Sequence, residues 1–172
     1  AELDAHGAPA VLVRGCLEAM LDEVHHVHLV RSDCAALGVF PDRPETGEQA
    51  QARSLVEIAL ENAVEGCVLE TWGALQATWQ AEHAQHERLR QTLAVIAEDE
   101  TRHAALSWDI DRWIRPLLSA QEQQEVVQAQ QEAWEKLRRD LASSEGHVPP
   151  AELGLPDAHQ ALTLLDGLSA AA

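Results

Sequence analysis

Two short runs carry the chemistry this sequence offers. Glu23-Val24-His25-His26 lies within "LDEVHHVHL", and Glu100-Thr101-Arg102-His103 within "IAEDETRHAALSW". A carboxylate three residues before an imidazole stands beside it on one helix face, because positions i and i+3 are neighbours there. Such a pair presents one oxygen and one nitrogen to a common ion. The same spacing also makes an ordinary solvated pair, so its meaning depends on the direction in which the helix turns it.

Helical phase supplies that direction. At about 100° per residue, Glu100 and His103 fall with Leu89, Leu93, Ile96, Ser107, Ile110 and Ile114. Glu98, Arg102 and Asp109 fall on the opposite side, and in Glu98-Asp99-Glu100 only the last is expected to turn in. Glu23 and His26 share a sector with Leu12, Ala19, Val30 and Leu37, next to Cys16, Met20, Val24 and Val27. The competing pair Asp22/His25 points toward Arg14 and Glu18. In "ENAVEGCVLETWGAL", Glu65 falls among Ile58, Val68, Leu69 and Trp72, with Glu61 one turn earlier on the same side. Glu70 comes out about 140° away from Glu65. Glu65 is therefore the expected inward acid, and Glu61 and Glu70 are accessories.

A buried carboxylate without a partner costs several kcal/mol or takes up a proton. No Lys or Arg shares these faces by phase, so a cation must come from outside the chain. A pair of metal ions meets the need, since carboxylates bridge and chelate while imidazoles complete the shell. Two other readings stand beside it. One is a non-catalytic helical interaction or assembly module whose inward acids are protonated or water-bonded. The other is a mononuclear zinc site built on one Glu-x-x-His pair. His25, His28, His83, His86, His147 and His159 are expected at the surface, and the five Trp are expected as core or interface anchors.

These residues need long helices to position them, and the sequence provides them. No alternating Val/Ile/Thr run is bounded by turn residues, so strands are not expected. Helices are expected over about Pro9 to Leu37, Ser54 to Glu82, Glu87 to Pro116 and Ser119 to Ser143, with a short one near Ala158 to Leu168. "GVFPDRPETGEQ" and "SSEGHVPPAELGLPD" are breaks, marked by their Gly and Pro. The expected architecture is all-α: an antiparallel four-helix bundle with its core in residues 1–116, and a helical extension over 117–172 packed on the same domain.

Size and charge narrow the function further. A chain of 172 residues supports one real core and not two. Its net charge of −17 opposes binding to nucleic acid or to anionic membrane surfaces, and it suits a protein that attracts cations. No apolar run is long enough for a membrane span, and "AELDAHGAPA" has neither the basic nor the apolar region of a signal peptide. A soluble protein is expected, with the cytoplasm favoured. Cys16, Cys34 and Cys67 follow no CxxC spacing and read as buried free thiols. Tyr is absent, which excludes a tyrosyl radical.

The runs "LDEVHHVHL", "ENAVEGCVLETWGAL" and "IAEDETRHAALSW" together resemble the ferritin-like di-iron family, over roughly residues 9 to 115. More narrowly, "GAP…LDEVHH…EGCVLET…IAEDETRHAALSW" looks like a set of bacterial ferritin-like domain proteins. The resemblance implies Glu23, His26, Glu65, Glu100 and His103 as ligands, with Glu65 and either Glu23 or Glu100 bridging. It also implies two iron ions, with manganese next and zinc last, and O2 or peroxide as reaction partner. In one respect the chain departs from the family. The lone Glu that the family carries on an earlier helix has no counterpart in "AELDAHGAP", where Glu2 aligns with that helix's end. The expected bundle is then completed by residues upstream of Ala1, by the helix Ser119 to Ser143, or by a second copy in a homodimer or larger homo-oligomer.

Overall fold

The computed structural model describes residues 2–42, 52–144, 146 and 149–171, and Pro44, Gly47 and His147 lie outside them. The described residues are helical throughout their ordered elements, with no strand among them. A one-turn helix α1 (Glu2–Ala5) precedes α2 (Ala10–Ala36). Next come α3 (Leu55–Glu61), a π-helical segment (Asn62–Glu70) and α4 (Thr71–His83), which run on as one rod. Then come α5 (Glu87–Ile114), α6 (Ala120–Ser143) and α7 (Ala158–Ala171).

The starts and stops follow from local chemistry. Ser54 and Ser119 open α3 and α6 with reciprocal capping boxes to Glu57 and Glu122, each satisfying two backbone N–H groups that the first turn leaves without partners. Pro116 lacks the N–H needed to continue α5, so that helix tightens into a 3-10 turn, Arg115–Leu117. Nothing in the residue pattern signals the π segment. Each turn there spends about one extra residue, which rotates everything downstream by roughly 100° relative to a plain α-helix.

Packing is laid out around α5. Helix α2 crosses it antiparallel: His26 meets Asp99, and Asp33 meets Arg88. The α3–π–α4 rod lies along another side of α5, held by Asn62 Nδ2 donating to the Ser107 carbonyl at 3.0 Å and Trp108 Nε1 donating to Thr71 Oγ1 at 3.1 Å. Helix α6 covers the far side of the rod. One apolar cluster joins Ile58, Ala59, Ala63, Ile114, Leu118 and Val126. A second joins Val68, Trp72 and Leu137 to Ala161 and Leu165 of α7. Cys67 is buried, and burial pushes its thiol up to about 12; Cys16 and Cys34 are only half-buried, and all three are free.

Gly66 sets how closely the π segment approaches α5. A Cβ there would lie 2.7 Å from Ser107 Oγ and 2.8 Å from Asn62 Oδ1. Gly66→Ala gains helix propensity of about 0.5–1 kcal/mol and loses about 1–3 kcal/mol to overpacking. The net loss is expected to be on the order of 1 kcal/mol, read as a lower urea midpoint at unchanged slope. An unchanged or raised midpoint would show that the contact yields freely.

Helix α2 packs chiefly on α5 and more lightly on α1. Between α2 and the rod lies a trough floored by α5. At one end it widens to a cavity of about 380 Å³ lined by Val13, Cys16, Leu17 and Met20 on one wall and by Ile58, Glu61 and Glu65 on the other.

Candidate metal centre

Because α2 and α5 run antiparallel, Asp22-Glu23-x-x-His26 and Asp99-Glu100-x-x-His103 pass each other head to tail. The Nε2 of His26 lies 2.9 Å from Asp99 Oδ2, and that of His103 lies 3.2 Å from Asp22 Oδ2. A carboxylate only accepts, so both imidazoles donate from Nε2, which in the neutral ring leaves the lone pair on Nδ1. Both Nδ1 atoms face the same two acids. His26 Nδ1 is 3.3 Å from Glu23 Oε1 and 3.3 Å from Glu100 Oε1. His103 Nδ1 is 3.4 Å from Glu23 Oε1 and 3.7 Å from Glu100 Oε2. The two rings are 6.0 Å apart, centroid to centroid.

Both histidines are buried, at 6% exposure, and the Glu100 side chain is 16% exposed. The Glu23 side chain, at 55%, stands at the mouth of the trough. Burial first, then the hydrogen bond and charge of Glu70, then the charges of Glu23 and Asp99, push the Glu100 carboxyl up to about 8. A hydrogen bond between two carboxyl groups needs a proton on one of them, and the raised group, Glu100, is the one that holds it.

The rod places its three acids differently from the expectation. Glu65 is exposed rather than central to a buried face. Glu70, expected on another side, is half-buried and reaches Glu100. The π segment is the reason. One extra residue between them brings Glu70 back by roughly 100°, from about 140° to about 40° from Glu65. Both then line the same opening, a cavity of about 380 Å³ that also exposes Ile96 and Glu100. Glu61 is drawn away by an ion pair with Arg53, whose guanidinium also holds Glu2 at 2.6 Å.

Phase also misplaced the residues flanking the pair. Asp99 was expected on the wet face and is buried, as the acceptor for His26. Asp22 does the same for His103; the bond from His103 and then that from Arg102 hold its carboxyl below the usual range. Arg102 was expected to point away, yet it contacts both Asp22, at 3.2 Å, and Asp99. The signal was present in the sequence as a repeat: an Asp precedes the Glu in both runs. His25, His28, His83, His86 and His159 are exposed as expected.

The donor set fits a cation. Two donors on one ion at about 2.1 Å, separated by 90–110°, stand roughly 3.0–3.4 Å apart, close to the Nδ1-to-carboxylate separations here. Glu23, Glu100 and His103 each offer a ligand atom, all within 4.8 Å of one another. Without a cation, the two Nδ1 lone pairs would have only the Glu23 carboxylate and a single Glu100 proton before them, unless the imidazoles were protonated. Comparison with family models, with curated proteins and with solved structures finds no match for this chain.

Proposed function

We propose that the chain is a metal-binding protein of ferritin-like architecture that holds two iron ions, or manganese in their place, and reacts with O2 or peroxide. The observation that carries this reading is the convergence of both Nδ1 atoms on Glu23 and Glu100, with both Nε2 atoms already committed to Asp99 and Asp22. In this reading His26 and His103 give one nitrogen each, and Glu23 and Glu100 give oxygens that both imidazoles can share. Glu70 and the exposed Glu65 are the next donors along the trough, and Glu61 takes part only if it leaves Arg53.

Iron bound here would supply the electrons that reduce O2 or peroxide. The chain's own residues do the rest. Asp22 and Asp99 fix the tautomer and aim of the imidazoles, as outer carboxylates do at metal sites generally. Arg102 holds the two aspartates together. Glu100, next to Glu70, keeps a proton beside the opening through which a small oxidant can enter. No nucleophilic side chain is required.

The test is elemental analysis after anaerobic iron(II) loading, with the near-UV spectrum recorded on exposure to air. About two irons per chain are expected, as in carboxylate-histidine bundles of this kind. One per chain would reduce the site to a mononuclear centre, and none under saturating iron would sink the proposal.

A further inference from the structure

The last turns of α2 and the first turns of α5 part around a cavity of about 430 Å³. Its apolar walls are Val30 and Leu37 of α2, Leu89 and Leu93 of α5, and Leu153 of the 3-10 turn Ala151–Leu153. That volume falls within the range of small-molecule sites, roughly 300–1,000 Å³. Val30 and Leu37 are exposed, so a ligand lying here would take apolar surface out of water.

Three charged side chains, Asp33, Arg88 and Glu152, also line it. The Asp33 side chain is only 12% exposed, and its Oδ1 accepts from Arg88 Nε at 2.5 Å. Its Oδ2 is shut off from solvent and has no hydrogen-bond partner. A buried acceptor left unmet is destabilising, and a bound donor that meets it is held correspondingly well. Arg88 is a divided partner: its Nη2 donates to Ser32 Oγ at 2.7 Å, and its side chain is 62% exposed. An ion pair that wet is weak and readily exchanged. With His86 counted as neutral, two carboxylates against one guanidinium leave the lining one negative charge in excess.

We propose that this cavity binds a small organic cation, a primary alkylammonium. Its chain lies between Val30, Leu37, Leu89 and Leu93, and its ammonium takes over the Asp33 carboxylate from Arg88. An ammonium carries three donors and can serve both oxygens once the guanidinium has turned out to solvent. The charge of −17 on the chain favours a cation from a distance as well. An anion of the same shape would meet Asp33 and Glu152, and an alcohol would leave the excess charge unanswered. The proposal goes beyond the metal reading and does not depend on it.

The experiment is calorimetric titration of n-hexylammonium into the full chain near neutral pH, with chelator present. One cation per chain is expected. Affinity should fall about three- to fourfold for each methylene removed from the chain. Hexanol should bind about tenfold more weakly, since it lacks the charge-assisted bond, and hexanoate should not bind. Asp33→Asn should weaken the hexylammonium complex about tenfold, whereas Arg88→Gln should tighten it severalfold by removing the competing cation.

No saturable binding at millimolar hexylammonium overturns the proposal. So does an affinity that ignores chain length, which would mark an ordinary counterion on an acidic surface. Hexanol bound as tightly as the ammonium would make Asp33 irrelevant and overturn it too. Binding that survives Asp33→Asn would place the cation on other acids. Should that variant lose its helicity, Arg88→Gln decides by sign, because weaker binding there would mean that Arg88 holds the ligand instead of competing with it. A chain that binds the cation and no iron leaves this site standing, and one that takes up iron and no cation leaves the metal reading standing.

Discussion

Alanine in place of Glu100 is expected to weaken iron(II) binding by more than about a hundredfold, while asparagine in place of Asp99 weakens it about tenfold. The difference follows from what each group touches. Glu100 faces the Nδ1 of both histidines and is bonded to Glu70, so its loss removes a donor shared by the whole cluster. Asp99 touches only the far nitrogen of His26 and the guanidinium of Arg102. An asparagine oxygen still accepts from His26, so the imidazole keeps its tautomer and loses only the charge behind it. Anaerobic competition against a chromophoric chelator measures both variants. Glu98→Ala, one residue away and exposed, serves as the neutral control. Equal losses in the Glu100 and Asp99 variants would mean that the cluster acts through folding rather than through ligation.

The second large effect concerns pH and needs no metal. The Glu100 carboxyl titrates near 4.5 when unfolded and near 8 in the folded chain. Between those values the unfolded chain has released a proton that the folded chain still holds. Stability from this group is therefore full below pH 4.5 and declines as pH rises toward 8, by up to about 1.4 kcal/mol per unit. Because water reaches the trough, the whole loss is expected to be on the order of 2–4 kcal/mol. Glu100→Gln stays neutral throughout and removes this slope. With chelator present, it should match the wild type near pH 5 and exceed it in urea midpoint at pH 8. Parallel curves for the two proteins would show that Glu100 ionises freely in the fold.

Much of this arrangement was legible in the residues. The helix limits followed from Ser54, Ser119 and Pro116, and the inward position of Glu100, His26 and His103 followed from a phase count along straight α-helices. The count failed where its premise failed. Between Asn62 and Glu70 the rod is not an α-helix, so Glu65 came out too deep and Glu70 too far round. It failed differently for Asp22, Asp99 and Arg102. A helical wheel treats each helix alone, and these side chains are defined by reaching across to the neighbouring helix. The repeated Asp before each Glu carried that information, but only to a reader who set the two runs antiparallel.

The wide segment also bears on how related chains should be aligned. In an ordinary helix a substitution changes what a position offers and leaves the others in place. Between Asn62 and Glu70 the number of residues itself decides what each position offers. A chain shorter there by the residues that widen the turns would wind as plain α-helix, keep every acid by name, and swing Glu70 out of reach of Glu100. Matching such sequences by identity alone would pair acids that occupy different sides of the rod. Counting the residues between them separates the two cases.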